Sequence, residues 1–351
     1  MNYLKILGSS GNKSKNFGTT SFQISNDTTI DAGNIINSLD DEAYKINHIF
    51  VTHAHLDHVS DIPFMLDNYF TKRETPLTVY GSLETIQFLK EHIFNNKIWP
   101  DFSNIKLLNK DENTLLFKEL KENEEIIHGK FKIKAIKTEH TDGSFGYIVS
   151  KNSSSYIISG DTDFNDNLIS HINNTKNLKA LFIECSFPNS LENIAKVSKH
   201  LTPNSLKMVL NKIENKNLAI FLYHLKFVQQ DVLKKEIENL GIFKNGGKIL
   251  EDGDIIHIDD LKVQSKIEDI ELFDRVMDIN LKLSSENDKE YLYEMILTLI
   301  RELTKSDAGT LYLISEDKKH LDFKVVQNET LNIFLGTKEE KISWNPLPLY
   351  L

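Results

Sequence analysis

Between Tyr3 and about Ile258, short apolar runs rich in β-branched and aromatic residues are broken by Gly, Asn and Ser turns. They predict strands over Tyr3–Leu7, Thr19–Ile24, Thr28–Asp31, His48–Thr52, Leu77–Tyr80, Phe131–Lys137, Gly146–Ser150, Tyr156–Ser159, Leu178–Ile183 and Leu218–Leu222. Apolar residues recur at helical spacing in Ile62–Phe70, Leu83–Ile93, Asn204–Ile213 and Gln229–Leu240. The early strands follow one another without intervening helices, as antiparallel strands do. This predicts an α+β domain over 1–260 and argues against an all-parallel doubly wound sheet. Past Asp259 and Asp260 the period changes: Ile267, Ile270, Phe273 and Met277, then Leu292, Met295, Ile296, Leu299 and Leu303, are helically spaced. We expect a helical connector over 261–287, whose stripe Ile270, Phe273 and Met277 offers either a homodimer contact or a cover for the connector's own neighbours. Strand-like runs at Gly309–Ser315 and Leu321–Gln327, parted by Glu316–Lys319, fall in a short last segment, 288–351.

The length of 351 residues suits two domains, and 40% hydrophobic with 26% charged residues suits a soluble globular chain rather than a disordered or collagen-like one. No apolar run approaches the roughly 18 residues that cross a bilayer. Net charge is −10, and only Arg73, Arg275 and Arg301 supply guanidinium among 41 basic residues, so a nucleic-acid partner is disfavoured. Cys185, the sole cysteine, has no intrachain disulfide partner. The first residues reach Gly8-Ser9-Ser10-Gly11 too soon to hold a signal-peptide apolar region of about 7–15 residues, and we expect a cytoplasmic protein.

The chemistry concentrates in Thr52-His53-Ala54-His55-Leu56-Asp57-His58, four potential metal ligands within six positions directly after an apolar strand. A strand end followed by a tight turn converges such side chains on one point. His140, Asp161 and His224 each follow a further predicted strand, so several strands present ligands at one rim. Imidazoles and carboxylates suit zinc, with manganese or iron also compatible. His48, His92, His128, His171, His257 and His320 have no motif company and read as structural residues. Cys185 reads as a small buried residue, and Gly8–Asn12 as a turn, because no Gly-Lys-Ser/Thr element follows it.

The His-x-His-x-Asp-His motif with separate His, Asp and His downstream resembles the metallo-β-lactamase fold hydrolases over roughly residues 1–258. The resemblance implies an αββα sandwich holding two divalent ions. His53, His55 and His140 would bind one, Asp57, His58 and His224 the other, and Asp161 would bridge them. Asp31, in Thr29-Ile30-Asp31-Ala32-Gly33, matches the superfamily's early aspartate and would support the metal loop from behind. The Leu in the metal motif, Phe182-Ile183-Glu184-Cys185-Ser186-Phe187 and His200-Leu201-Thr202-Pro203 together resemble the class II 3′,5′-cyclic-nucleotide phosphodiesterases. Asp61 departs from that pattern, which usually places a small residue there.

That narrower resemblance implies hydrolysis of cyclic AMP or cyclic GMP to the nucleoside 5′-monophosphate by a metal-bridging hydroxide, with Asp57, Asp161 and His200 as the catalytic set. His200 is a candidate phosphate contact or proton donor, or else an exposed turn residue ahead of a helix capped by Thr202. Glu184 is a candidate for supporting the site from behind. Residues 288–351 resemble the start of a GAF domain, a small-molecule sensor module, which suggests a signalling role. Two other readings compete: a tRNA 3′-processing endonuclease (ribonuclease Z-like), and a sensor or scaffold whose hydrolase domain is vestigial. Residues 1–260 carry 29 basic and 34 acidic side chains and no basic RNA-binding arm, which ranks the endonuclease lower, and the complete ligand set argues against decay.

Overall fold

A computed structural model describes residues 3–265, 288–304, 306–336 and 342–348. The chain separates into two compact units, 1–265 and 266–351. In the first, six strands come before the mid-chain hairpins: β1 (Tyr3–Gly8), β2 (Ser21–Ser25), β3 (Thr28–Ile30), β4 (His48–Phe50), β5 (Leu77–Gly81) and β6 (Leu115–Glu119). Next come β7 (Glu125–His128), β8 (Phe131–Lys137), β9 (Phe145–Lys151), β10 (Ser154–Ile158), β11 (Leu178–Glu184) and β12 (Ala219–Tyr223). The unit closes with β13 (Ile255–His257) and β14 (Lys262–Gln264).

These strands form two mixed sheets, one ordered β14-β13-β1-β2-β3-β4-β5-β6 and the other β12-β11-β10-β9-β8-β7. β1 to β3 pair antiparallel, as their helix-free succession predicts, and β3 to β6 then pair parallel. Helices α1 (Ile35–Leu39), α2 (Leu56–Val59), α3 (Asp61–Asn68) and α4 (Leu83–His92) arise between strands of the first sheet. Helices α5 (Asp166–Asn174), α6 (Glu192–Ser198), α7 (Pro203–Lys212) and α8 (Gln230–Asn239) arise between or after strands of the second.

Period-two burial sorts the side chains into layers. On β10 to β12, Tyr156, Ile158, Ala180, Phe182, Ala219, Phe221 and Tyr223 face inward and join Phe22, Ile30 and Phe50 of the first sheet in one core. Their alternates Ile157, Leu181, Ile183, Ile220 and Leu222 face outward and pack with Leu168, Ile172, Leu206, Val209, Leu233 and Ile237 of α5, α7 and α8. Ile49 and Val51 turn the other way, onto Ile35, Ile62, Met65, Leu66 and Leu89 of α1, α3 and α4. Three cores between four layers make an αββα sandwich. The unit runs past the expected boundary at 260, because Lys262–Gln264 is an edge strand paired with β13 rather than the beginning of a helix. The proposed dimer stripe Ile270, Phe273 and Met277 lies outside the described residues.

In the second unit, α9 (Lys289–Thr304) leads into an antiparallel sheet of β15 (Ala308–Ile314), β16 (His320–Asn328), β17 (Ile333–Leu335) and β18 (Leu347–Pro348). Buried Arg301 ties the helix to the sheet, donating to Gln327 Oε1 (3.0 Å), the Asp307 carbonyl (2.8 Å) and Glu329 Oε2 (3.0 Å). Leu297, Val325 and Val326 are its buried apolar residues among those described.

Candidate metal centre

β4 ends at Phe50, and the backbone then lays His53 and His55 before α2, which carries Asp57 and His58 on its single turn. His140 follows β8, Asp161 follows β10 and His224 follows β12, so four strand ends from both sheets deliver side chains to one rim. His53, His55 and His140 place one ligand atom each within 4.8 Å of one another, and Asp57, His58 and His224 do the same. Asp161 lies between the groups. Its Oδ2 is 3.3 Å from His58 Nε2, 3.3 Å from His224 Nε2, 3.8 Å from His53 Nε2 and 3.9 Å from His140 Nε2. The structure thus brings together all seven residues that the sequence pointed to.

The orientation of the imidazoles follows from what holds their other nitrogen. His58 Nδ1 donates to Asp31 Oδ2 (2.7 Å) and His140 Nδ1 to the Lys199 carbonyl (3.1 Å). Thr52 Oγ1 donates to Asp31 (2.8 Å) and so accepts from His53 Nδ1 (3.1 Å). Ser186 Oγ donates to Glu184 Oε2 (2.5 Å) and so accepts from His224 Nδ1 (3.0 Å). In each ring the proton sits on Nδ1, and the Nε2 lone pair is aimed into the site. His53 Nε2, His58 Nε2 and both oxygens of Asp161 are buried without a hydrogen-bond partner. His55 Nδ1 faces His140 Nε2 at 3.3 Å. Buried lone pairs converging on one another and on a carboxylate are costly unless a cation lies among them, so the residues present fit divalent metal ions.

The electrostatics agree. Burial would raise the Asp161 carboxyl, but His224, His58 and His200 outweigh it and hold the group well below the usual carboxylate range. Burial and the neighbouring His58 push His53 well below its ordinary value, favouring the neutral, ligating form. For His58 burial is overcome by Asp161, Asp31 and Asp57, which raise it, so a proton competes with a cation for its Nε2.

Behind the rim, Asp31 is fully buried at a left-handed φ of 58° and accepts the Thr52 backbone N–H (2.7 Å) as well as His58. Glu184, also fully buried, accepts from His200 Nδ1 (2.7 Å), the Thr162 N–H (3.0 Å) and Ser186. His200 is 6% exposed, which removes the exposed-turn alternative, although Thr202 does cap α7 in a capping box with Ser205 and Pro203 in its first turn. His200 Nδ1 stands 4.0 Å from Asp161 Oδ2, and with Nδ1 bound to Glu184 its Nε2 is left free. Glu184 raises His200 above its ordinary value against the effect of burial.

Ser186 carries no role in the sequence pattern beyond its place in Phe182-Ile183-Glu184-Cys185-Ser186-Phe187. Its position two residues after Glu184 on the same strand end was the available signal. Asp61, the residue that departs from the expected pattern, lies outside these clusters and accepts the Ile36 N–H (2.8 Å) at the start of α1. Gly11, in the loop read as a turn, packs so closely on His224 that a Cβ would lie 2.8–2.9 Å from its carbonyl and ring. Cys185 is fully buried, as read, and burial pushes its thiol well up.

A family model for class-II cAMP phosphodiesterases matches residues 2–169, just under half of the chain. A probable 3′,5′-cyclic-nucleotide phosphodiesterase of Yersinia pestis is 27% identical over 231 residues, 56% of this chain. The match spans 62% of that relative's length. Among solved structures, unliganded yeast PDE1 superposes with a TM-score of 0.61 at 18% identity, over 72% of this chain and 98% of the other. The metallo-β-lactamase fold protein YhfI from Bacillus subtilis gives 0.56 at 21% identity, over 72% and 98%. The first unit has the metallo-β-lactamase fold. Its two sheets and flanking helices are that fold's four layers.

Proposed function

We propose that the first unit is a metal-dependent phosphodiesterase that opens 3′,5′-cyclic nucleotides to nucleoside 5′-monophosphates. The observation that carries this reading is the pair of ligand clusters sharing the Asp161 carboxylate, with His200 held beside them on Glu184. The class-II cAMP phosphodiesterase match and the Yersinia relative support the choice of substrate.

His53, His55 and His140 would hold one divalent ion and Asp57, His58 and His224 a second, with Asp161 between them; zinc suits this donor set best. Such ions, when bound, make water a nucleophile near neutral pH and stabilise charge on phosphate oxygens. Asp31, Thr52, Ser186 and the Lys199 carbonyl fix the imidazole tautomers that this binding needs. Water adds to phosphorus and gives up one proton to solvent, the P–O3′ bond breaks, and the departing 3′ oxygen takes the proton of His200 Nε2, which solvent then restores. Glu184 keeps that imidazole protonated and oriented through Nδ1. The helix-to-antiparallel-sheet order of the second unit supports reading it as the start of a GAF-like sensor, and the single buried cysteine supports a reducing, cytoplasmic setting.

The test is hydrolysis of cyclic AMP and cyclic GMP by the metal-loaded full chain, with products resolved by chromatography beside an Asp161→Ala control. Formation of 5′-monophosphate that disappears in the control supports the reading. Cleavage of a precursor-tRNA 3′ trailer without cyclic-nucleotide turnover would move the substrate to the ribonuclease Z class. Absence of any hydrolysis by the metal-loaded protein would leave the scaffold reading.

A further inference from the structure

A second group of side chains converges at the opposite end of β4 from the histidine-rich turn. His48 is the first residue of that strand, Asp27 lies in the turn between β2 and β3, and His128 is the last residue of β7. β3 and β4 belong to the first sheet and β7 to the second, so the three residues span the gap between the sheets. Neither histidine has motif company in the sequence; their contact comes from chain segments 80 residues apart.

One ligand atom from each of Asp27, His48 and His128 lies within 4.8 Å of the others. The two imidazole rings are 4.1 Å apart, centroid to centroid, and tilted by 53°. His128 Nε2 stands 3.5 Å from Asp27 Oδ2, too far for a good N–H···O bond and close to the spacing of two ligands on one metal ion. The remaining atoms are already committed. Asp27 Oδ1 accepts from Ser25 Oγ (2.6 Å) and Thr28 Oγ1 (2.9 Å), which leaves Oδ2 for the cluster. His48 Nδ1 lies 3.4 Å from the Tyr80 hydroxyl, which leaves Nε2, and the His48 backbone N–H donates to the Asp27 carbonyl (3.0 Å), fixing the two against each other. Two imidazole nitrogens and one carboxylate oxygen, oriented by surrounding hydroxyls and half-open to water, are the donor set of a zinc-type site with one position left for solvent.

We propose that Asp27, His48 and His128 form a separate divalent transition-metal site that staples the two sheets at the end remote from the candidate catalytic rim. The site does not depend on the hydrolase reading, since none of its residues belongs to the rim.

The test uses the full chain loaded with zinc, dialysed and counted by elemental analysis, in the parent, in Asp27→Asn and in His128→Gln. Asp27→Asn keeps an oxygen for Ser25 and Thr28, and far-UV circular dichroism checks that both variants are folded. Loss of one zinc equivalent per chain from either variant, with a smaller zinc-induced rise in melting temperature, is the expected result. An unchanged count in both overturns the proposal. Where a variant fails to fold, diethyl pyrocarbonate labelling of the parent with and without zinc decides: protection of His48 and His128 supports the site, and equal labelling overturns it.

Discussion

Ser186 Oγ contacts Glu184, His200 and His224 at 2.5, 3.3 and 3.0 Å, so a single hydroxyl connects the candidate proton donor to a candidate metal ligand. Glu184 is the charge behind that connection. Glu184→Gln keeps the shape and removes the charge, so turnover should fall by about 10–100-fold with metal content nearly unchanged, read by steady-state kinetics and elemental analysis. The pH profile gives the sign. Glu184 raises His200 above its ordinary value, so the acid form needed for proton donation survives to higher pH in the parent. Removing the charge lowers that value, and the alkaline loss of kcat should begin at lower pH. An unmoved limb would show that His200 is not the group titrating. At this scale His53, His55, Asp57 and His58 were legible because the chain presents them contiguously after one strand. His140, Asp161 and His224 needed only the rule that strand ends share a rim. Ser186 was not legible as a contact, and neither was the His48–His128 pair, because no local spacing encodes a meeting of segments from two sheets.

Helices and strands set how exactly the rim is held. Gly11 sits where the loop after β1 presses on His224, itself in a left-handed conformation with φ 63°. Gly11→Ala places a methyl 2.8–2.9 Å from the His224 ring and carbonyl, forcing that ligand outward. We expect loss of metal from the Asp57, His58 and His224 cluster and of activity, with circular dichroism unchanged; full metal retention would mean that the loop yields instead. Asp61 works on a different element. Its carboxylate accepts the Ile36 N–H at the start of α1, so Asp61→Ala should cost about 1 kcal/mol in a denaturant titration while leaving bound metal unaltered. A loss of metal in that variant would place Asp61 in the site after all. Most elements followed from hydrophobic period, but β6, β7, β13, β14, β17, β18, α1, α2, α5 and α6 did not. β7 is four residues, Glu125-Ile126-Ile127-His128, too short for alternation to register. α5, Asp166-Asn167-Leu168-Ile169-Ser170-His171-Ile172-Asn173-Asn174, has three apolar residues and begins on an Asn165 cap that accepts from the Asn167 and Leu168 N–H groups.

In the whole molecule, every ligand of the candidate centre lies in the unit 1–265, and the ligands come from both sheets of that unit. The buried, unpartnered Asp161 oxygens and the Nε2 atoms of His53 and His58 are therefore an internal cost of the folded state that bound cations offset. An ion that binds the native state alone stabilises it by about 2.7 kcal/mol at a hundredfold excess over its dissociation constant. For a unit of this size that corresponds to a shift of roughly 5–10 °C. Dialysis against a chelator should lower the melting transition of the first unit by that order, and zinc should restore it. The unit at 266–351 holds its helix on its sheet through Arg301 and, among the described residues, contributes none to these clusters, so a second transition in the same calorimetric scan should not move. Asp161→Ala separates this from nonspecific ion effects, since it removes the shared carboxylate and with it most of the zinc-dependent shift. If chelation and zinc leave both transitions of the parent in place, cation binding is not linked to folding, and the converging lone pairs must be satisfied by protons.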